Sequence, residues 1–203
     1  MNSGENINNA FKVVFKTLQS VQDLMECCTA NYDDRTYHLP IDRFLRYSSD
    51  QSWEGWIYWS FILVFQRKAD GDIMKENDWI NAPLYAVEIN LDSDTNENEP
   101  QIFIAKMEYN DLSTWSKGIS PSSHDKIYNP IHKVKFFDSF DLNGKYCMIV
   151  PKAEAIEKVN KNYWGFKRAV MKSIPLVQIT EENYISCIFG SIEELAMIES
   201  NAN

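Results

Sequence analysis

Residues 53–66 read Trp-Glu-Gly-Trp-Ile-Tyr-Trp-Ser-Phe-Ile-Leu-Val-Phe-Gln. This stretch contains three of the six tryptophans and ends in an almost unbroken run of β-branched and aromatic side chains. Such a run is typical of a strand that is buried on both faces, or nearly so, in the middle of a sheet. We therefore expect the core of the protein to be built around this strand.

An amphipathic helix is predicted upstream of this strand, over residues 6–31. Apolar side chains recur there at steps of three and four residues, which is the period of one helix face. They are Phe11, Val14, Phe15, Leu18, Val21, Leu24, Met25 and Cys28. Since an apolar helix face has to be covered, we expect this face to pack on the sheet.

The remaining secondary structure is predicted from periodicity and turn residues. Strands are expected over 84–92, 101–109, 132–137 and 146–150, with Asn143-Gly144 as the turn before the last of them. Residues 152–172 have a helical period, residues 174–179 read as a short strand, and two helices separated at Gly190 follow.

The order of these elements predicts an α+β fold, because the strands come in a block and do not alternate with helices. It consists of an N-terminal amphipathic helix, a largely antiparallel sheet of about five to six strands, and C-terminal helices packed on the sheet. We expect a single domain over residues 1–203, with a flexible acidic loop near 92–99 and an irregular loop over 110–130.

Length and composition exclude several classes of protein. A chain of 203 residues buries enough surface to need no disulfide or metal for stability. Its four cysteines have no regular spacing, and its longest nearly apolar run, residues 56–65, is too short to cross a bilayer. The first residues lack the basic and apolar regions of a secretory signal. We expect a cytoplasmic protein in which the cysteines are reduced.

The net charge of −9 is unevenly distributed along the chain. Residues 84–111 carry seven carboxylates and a single basic side chain, whereas residues 112–172 carry 11 basic and 5 acidic side chains. The overall field repels nucleic acid and anionic membranes, so neither is an expected partner. Segments of opposite sign are suited to a contact with another protein that is steered by charge.

Motifs for cofactor chemistry are absent from the sequence. It has no nucleophile elbow, phosphate-binding loop or dinucleotide fingerprint, so no cofactor is expected. The three histidines, His38, His124 and His132, and the cysteines lack the spacing of a zinc site.

One enzymatic hypothesis comes from the two strands over 84–92 and 101–109. If they pair as a hairpin, Glu88, Asp92, Lys106 and Glu108 could hold a divalent cation and position a water. This arrangement resembles that of the PD-(D/E)xK nucleases, although the order here is Lys106-Met-Glu108 and the Pro-Asp of that family is absent. The alternative interpretation is that these residues form the solvated face of the hairpin.

Protein binding is the function that the sequence favours over catalysis. We expect an accessory, immunity-type or inhibitor-type partner of a larger protein, with a basic protein as one candidate. We expect Trp79 and Trp115, both in irregular segments, to be exposed. Exposed tryptophans are common anchors of interfaces, and acidic loops steer association. The predicted binding residues are Trp79, Trp115, Asp92, Asp94, Glu97 and Glu99. The alternative for the two tryptophans is that they cover an edge of the sheet.

Overall fold

The computed structural model of the protein describes residues 3–47, 57–91, 99–120 and 123–198. The chain divides into two compact units, residues 1–32 and residues 33–203. The first unit is helix α1, Ser3–Asn31, which confirms the predicted helix. The packing of α1 on the sheet and the single-domain organisation stay predictions.

The second unit is built on one antiparallel sheet. Its strands among the described residues are β1 (Tyr37–His38), β2 (Leu45–Arg46), β3 (Ser60–Arg67), β4 (Leu84–Asn90), β5 (Gln101–Tyr109), β6 (Phe137–Leu142), β7 (Tyr146–Pro151) and β8 (Phe166–Pro175). The strand order is β1-β3-β4-β5-β8-β7-β6, and β2 also pairs with β3. The α+β class is confirmed, and with eight strands the sheet is larger than predicted.

The three central strands β3, β4 and β5 are buried on both faces. Every residue of β4 is buried, as are all residues of β3 except Arg67 and all residues of β5 except Glu108. This explains why residues 60–66 are almost continuously apolar in the sequence. The predicted strand over 101–109 is confirmed, the one over 84–92 ends at Asn90, and the one over 53–66 is a strand from Ser60. Residues 53–56 and 92 lie outside the described part of the chain.

Three helices cover the two faces of the sheet. Helices α2 (His124–His132) and α3 (Ile156–Asn162) contribute Ile127, Ile131 and Val159 to the core cluster that contains Ile62 of β3. On the opposite face lies α4 (Tyr184–Ala196), whose Phe189 ring is 5.4 Å from that of Phe65. No helix in the described ranges is long and apolar enough to span a membrane.

Several local predictions are wrong. Residues 166–175 form strand β8 and not the end of a helix, because they pair with β5 on one side and with β7 on the other. Helix α4 runs through Gly190 without a break. The strand predicted over 132–137 is β6, shifted to Phe137–Leu142, and the region expected to be an irregular loop over 110–130 contains most of α2.

Candidate functional site

A pocket of about 400 Å³ lies beside two tryptophans in the second unit. Trp115, Trp164 and Ile119 supply its apolar lining, and Asn110, Asp111, Thr114 and Asn160 are among its polar lining residues. We call this site the tryptophan pocket. It combines aromatic surface with a few polar groups, which is the usual make-up of a binding pocket.

Trp115 is held by the structure of the segment that precedes it. Asn77 donates hydrogen bonds through Nδ2 to the backbone oxygens of Leu112, at 2.9 Å, and Trp115, at 3.0 Å. The Trp115 ring lies 4.9 Å from the ring of Tyr109 and 4.7 Å from that of Trp164. Because these contacts surround a partly exposed ring, Trp115 presents a pre-arranged surface at the pocket.

Trp164 has an unusual backbone conformation. Its φ is +55°, in the left-handed region that bulky side chains rarely adopt, and the next residue, Gly165, has φ +73°. A Cβ atom on Gly165 would lie 2.9 Å from Nδ2 of Asn110, so a larger residue there would have to displace the Asn110 side chain. Asn110 donates its backbone N–H to the oxygen of Gly165 at 2.9 Å and thereby joins this turn to the end of β5. The N–H of Gly165 also donates to the oxygen of Asn160 at 3.2 Å, so the left-handed Trp164 ends helix α3 in the manner of a Schellman motif.

Asp111 supplies the carboxylate of the tryptophan pocket. The hydroxyl and the backbone N–H of Ser113 donate hydrogen bonds to it and hold the pKa of Asp111 below its ordinary value. At neutral pH the pocket therefore carries a negative charge among its amide and hydroxyl groups.

The two predicted binding tryptophans have different environments. Trp115 lines the pocket and is partly exposed, and its role in binding stays a prediction. The expectation that Trp79 is exposed is wrong, since its side chain is fully buried. Its indole Nε1 donates to the backbone oxygen of Ser116 at 2.9 Å, and its ring lies 5.1 Å from that of Trp115. Trp79 therefore packs against Trp115 of the tryptophan pocket and has no solvent-exposed surface.

Most of the predicted acidic binding residues lie outside the described part of the chain. These are Asp92, Asp94 and Glu97. Glu99, two residues before the start of β5, is exposed. A role of this segment in binding stays a prediction.

The structure does not bring together the residues of the nuclease-like hypothesis. Glu88 pairs across β4 and β5 with Phe103, and side chains alternate between faces along a strand, so Lys106 and Glu108 lie on the face opposite to Glu88. The fourth residue, Asp92, is not described. The expected grouping is therefore wrong for Glu88, Lys106 and Glu108.

Lys106 and Glu108 each have another partner. Lys106 Nζ donates to the backbone oxygen of Ile198 at 3.0 Å, just beyond the end of α4, and burial lowers the pKa of Lys106. Glu108 accepts two hydrogen bonds from Arg168, both at 2.9 Å. Both residues thus hold elements of the fold together.

Glu88 is the centre of a buried polar network that sequence analysis missed. Its Oε1 accepts hydrogen bonds from Ser60 Oγ at 2.7 Å and from Asn90 Nδ2 at 3.0 Å, and its Oε2 accepts from His132 Nε2 at 2.7 Å. His124 Nε2 lies 2.8 Å from Ser60 Oγ. One feature of the sequence could have revealed this network. His124, Tyr128 and His132 are four residues apart and so share one face of α2.

Ser60 is not arranged as the nucleophile of a catalytic triad. A hydroxyl has one hydrogen, and that of Ser60 is donated to the carboxylate of Glu88. Ser60 and Glu88 are also completely buried. Within the described residues, no group of three or more His, Cys, Asp or Glu side chains could hold a metal ion. The network therefore joins α2 to β3 and β4.

Comparison with known proteins finds no protein-family model, no curated protein and no solved structure that matches this chain.

Proposed function

We propose that this protein is a non-catalytic cytoplasmic binding protein, an accessory, immunity-type or inhibitor-type partner of a larger protein. The tryptophan pocket is the centre of its contact surface. The observation that carries the proposal is the pair of partly exposed tryptophans, Trp115 and Trp164, whose rings lie 4.7 Å apart at the pocket, because exposed tryptophans are typical anchors of interfaces.

The composition of the pocket fits the centre of a protein interface. Binding energy in interfaces is concentrated in a few residues, in which tryptophan is enriched, surrounded by polar contacts that exclude water. Here the two tryptophans lie beside Asn110, Asp111, Thr114 and Asn160. A cavity of about 400 Å³ can accept a large side chain of the partner.

The acidic residues 92–99 have a separate role in this proposal. They accelerate the encounter with a basic surface, whereas the pocket determines how long the complex lasts. Salt should therefore weaken the association mainly by slowing it.

Affinity purification of the tagged protein from its native cells, at low and at high salt, tests this proposal. Replacing Trp164 by asparagine removes the ring, while asparagine tolerates the left-handed backbone. The matched control is Val177→Asn, which removes an apolar side chain that is 74% exposed. The partner should be retained by the wild type and by Val177→Asn, and the purified partner should bind Trp164→Asn about 30-fold more weakly.

Two results would overturn the proposal. One is a protein that is recovered without a partner at both salt concentrations. The other is a partner that binds Trp164→Asn and the wild type with equal affinity, which would remove the tryptophan pocket from the contact.

A further inference from the structure

The sheet has one long exposed edge, at strand β6. This strand is the last in the sheet order, and among the described residues β7 is its one strand neighbour. Four consecutive residues, Asp138, Ser139, Phe140 and Asp141, are exposed, and the Phe140 side chain is 48% accessible. The other end of the sheet carries β1 and β2, which are two residues each.

The difference between the two ends matters because edge strands can be extended by another chain. Alternate residues of an edge strand direct their N–H and C=O groups away from the sheet, and an extended peptide can pair with them. Strands of two residues offer too few such groups, whereas every second one of the six residues of β6 offers its N–H and C=O.

A second copy of the protein is a poor occupant of this edge. Joining two β6 edges would bring four aspartates together, with no basic residue in either strand to offset them. Charged side chains on an edge strand discourage pairing between copies of the same chain. Charge therefore disfavours the pairing of β6 with its own equivalent.

We propose that β6 is the docking strand for a basic, extended segment of a partner protein, which adds to the sheet antiparallel to β6. The two aspartates and the absence of any basic residue in β6 select a basic segment. The antiparallel direction follows from the sheet, in which every strand pair is antiparallel.

The geometry of β6 also specifies the pattern of the bound segment. Asp138 and Asp141 are three residues apart and point to opposite faces, with the exposed Phe140 on the same face as Asp138. Read from its N-terminus, an antiparallel segment then has a basic residue opposite Asp141, an apolar residue opposite Phe140, any residue next and a basic residue opposite Asp138. Lys152 Nζ lies 4.0 Å from Asp138 and offsets part of its charge, so the residue opposite Asp141 should contribute more.

Labelled hexapeptides provide the probe for this docking strand. The test peptide is Thr-Lys-Val-Thr-Lys-Val, and its counterpart carries glutamate at both lysine positions. Wild-type protein should bind the lysine peptide at least about fivefold more tightly in fluorescence anisotropy, because two charge pairs change sign. The variant Asp138→Lys/Asp141→Lys should reverse this preference.

Two further measurements depend only on the wild-type fold. Hydrogen exchange of the β6 amides should slow when the lysine peptide is added, and N-methylation of alternate peptide amides should abolish binding. Trp164→Asn should bind the peptides with the affinity of the wild type, because the peptides dock on β6. If the peptides do not bind β6, the proposal for the tryptophan pocket is therefore unaffected.

Three outcomes would overturn the inference. They are a lysine peptide that does not bind, one that binds without slowing exchange in β6, and concentration-dependent protection of β6 in the protein alone, which would identify a second copy as the occupant.

Discussion

Replacement of Glu88 by leucine should be among the most destabilising substitutions in the second unit. Leucine fills similar space but accepts no hydrogen bond, so it leaves Ser60 Oγ, Asn90 Nδ2 and His132 Nε2 without their acceptor. Each buried donor that loses its partner costs about 1–3 kcal/mol. Some relaxation around His132 is expected, and we predict a loss of about 4 kcal/mol in the free energy of unfolding.

Urea denaturation followed by circular dichroism measures this loss. For a chain of this size, about 4 kcal/mol corresponds to a decrease in Tm of roughly 8–16 °C. The matched control is Glu157→Leu on α3, where the glutamate is exposed and the change should stay within about 0.5 kcal/mol. A loss below about 1 kcal/mol for Glu88→Leu would refute the assignment of Glu88 as the acceptor of these three donors.

A double-mutant cycle tests the contact between Glu88 and His132 directly. If His132 donates to Glu88, replacing His132 by leucine should lower the free energy of unfolding less in the Glu88→Leu variant than in the wild type. A coupling energy of about 1–3 kcal/mol between Glu88→Leu and His132→Leu is expected. Additive effects would mean that the two side chains stabilise the fold independently.

Three further predictions concern other parts of the second unit. Gly165→Ala should destabilise the protein by about 2 kcal/mol, because the new Cβ would lie 2.9 Å from Asn110 Nδ2 and φ is +73°; thermal denaturation checks this. Asn77→Ala should cost about 2–3 kcal/mol, since it removes the hydrogen bonds to Leu112 and Trp115, and it should also weaken partner binding. Lys106 should make the stability depend on pH. Burial lowers its folded-state pKa below the ordinary value of 10.5, so the folded state binds fewer protons than the unfolded state. The free energy of unfolding should therefore rise as the pH rises through the folded pKa towards 10.5, and Lys106→Met should lack this rise.

The controls for these three predictions use the same assays. Gly118→Ala has a similar positive φ, +64°, but open space around its Cβ, so it should cost less than Gly165→Ala. Equal losses would show that the contact with Asn110 is unimportant. If Asn77→Ala bound the partner like the wild type, the segment would not need Asn77 to present Trp115. Parallel pH profiles of the wild type and Lys106→Met would contradict the effect of burial on Lys106.

Local sequence patterns predicted the centre of the fold well. Residues 84–90 and 101–109 are recognisable as strands because β-branched and apolar residues dominate them, and Asn143-Gly144 forms the predicted turn, with φ +64° and +66°. Helix α1 is equally clear because its apolar period extends over many turns.

The errors occurred where distant partners override local preference. Residues 166–175 include lysine, arginine, alanine and methionine, which favour helices, yet pairing with β5 and β7 makes them a strand. Gly190 is tolerated within α4 because neighbouring residues such as Ile188 and Ile192 are buried. Helix α2 was missed because its nine residues are mostly polar and include Pro130.

Composition and short-range periodicity were enough to predict the fold class, the amphipathic helix, the central strands and the uneven charge. Which polar residues meet depends instead on the folded chain. Folding buried Glu88 with Ser60 and His132, separated Glu88 from Lys106 by the thickness of the sheet, and placed Trp164 beside Trp115. The physical reason is that strand order and register join residues far apart in the chain, and no local pattern encodes that pairing.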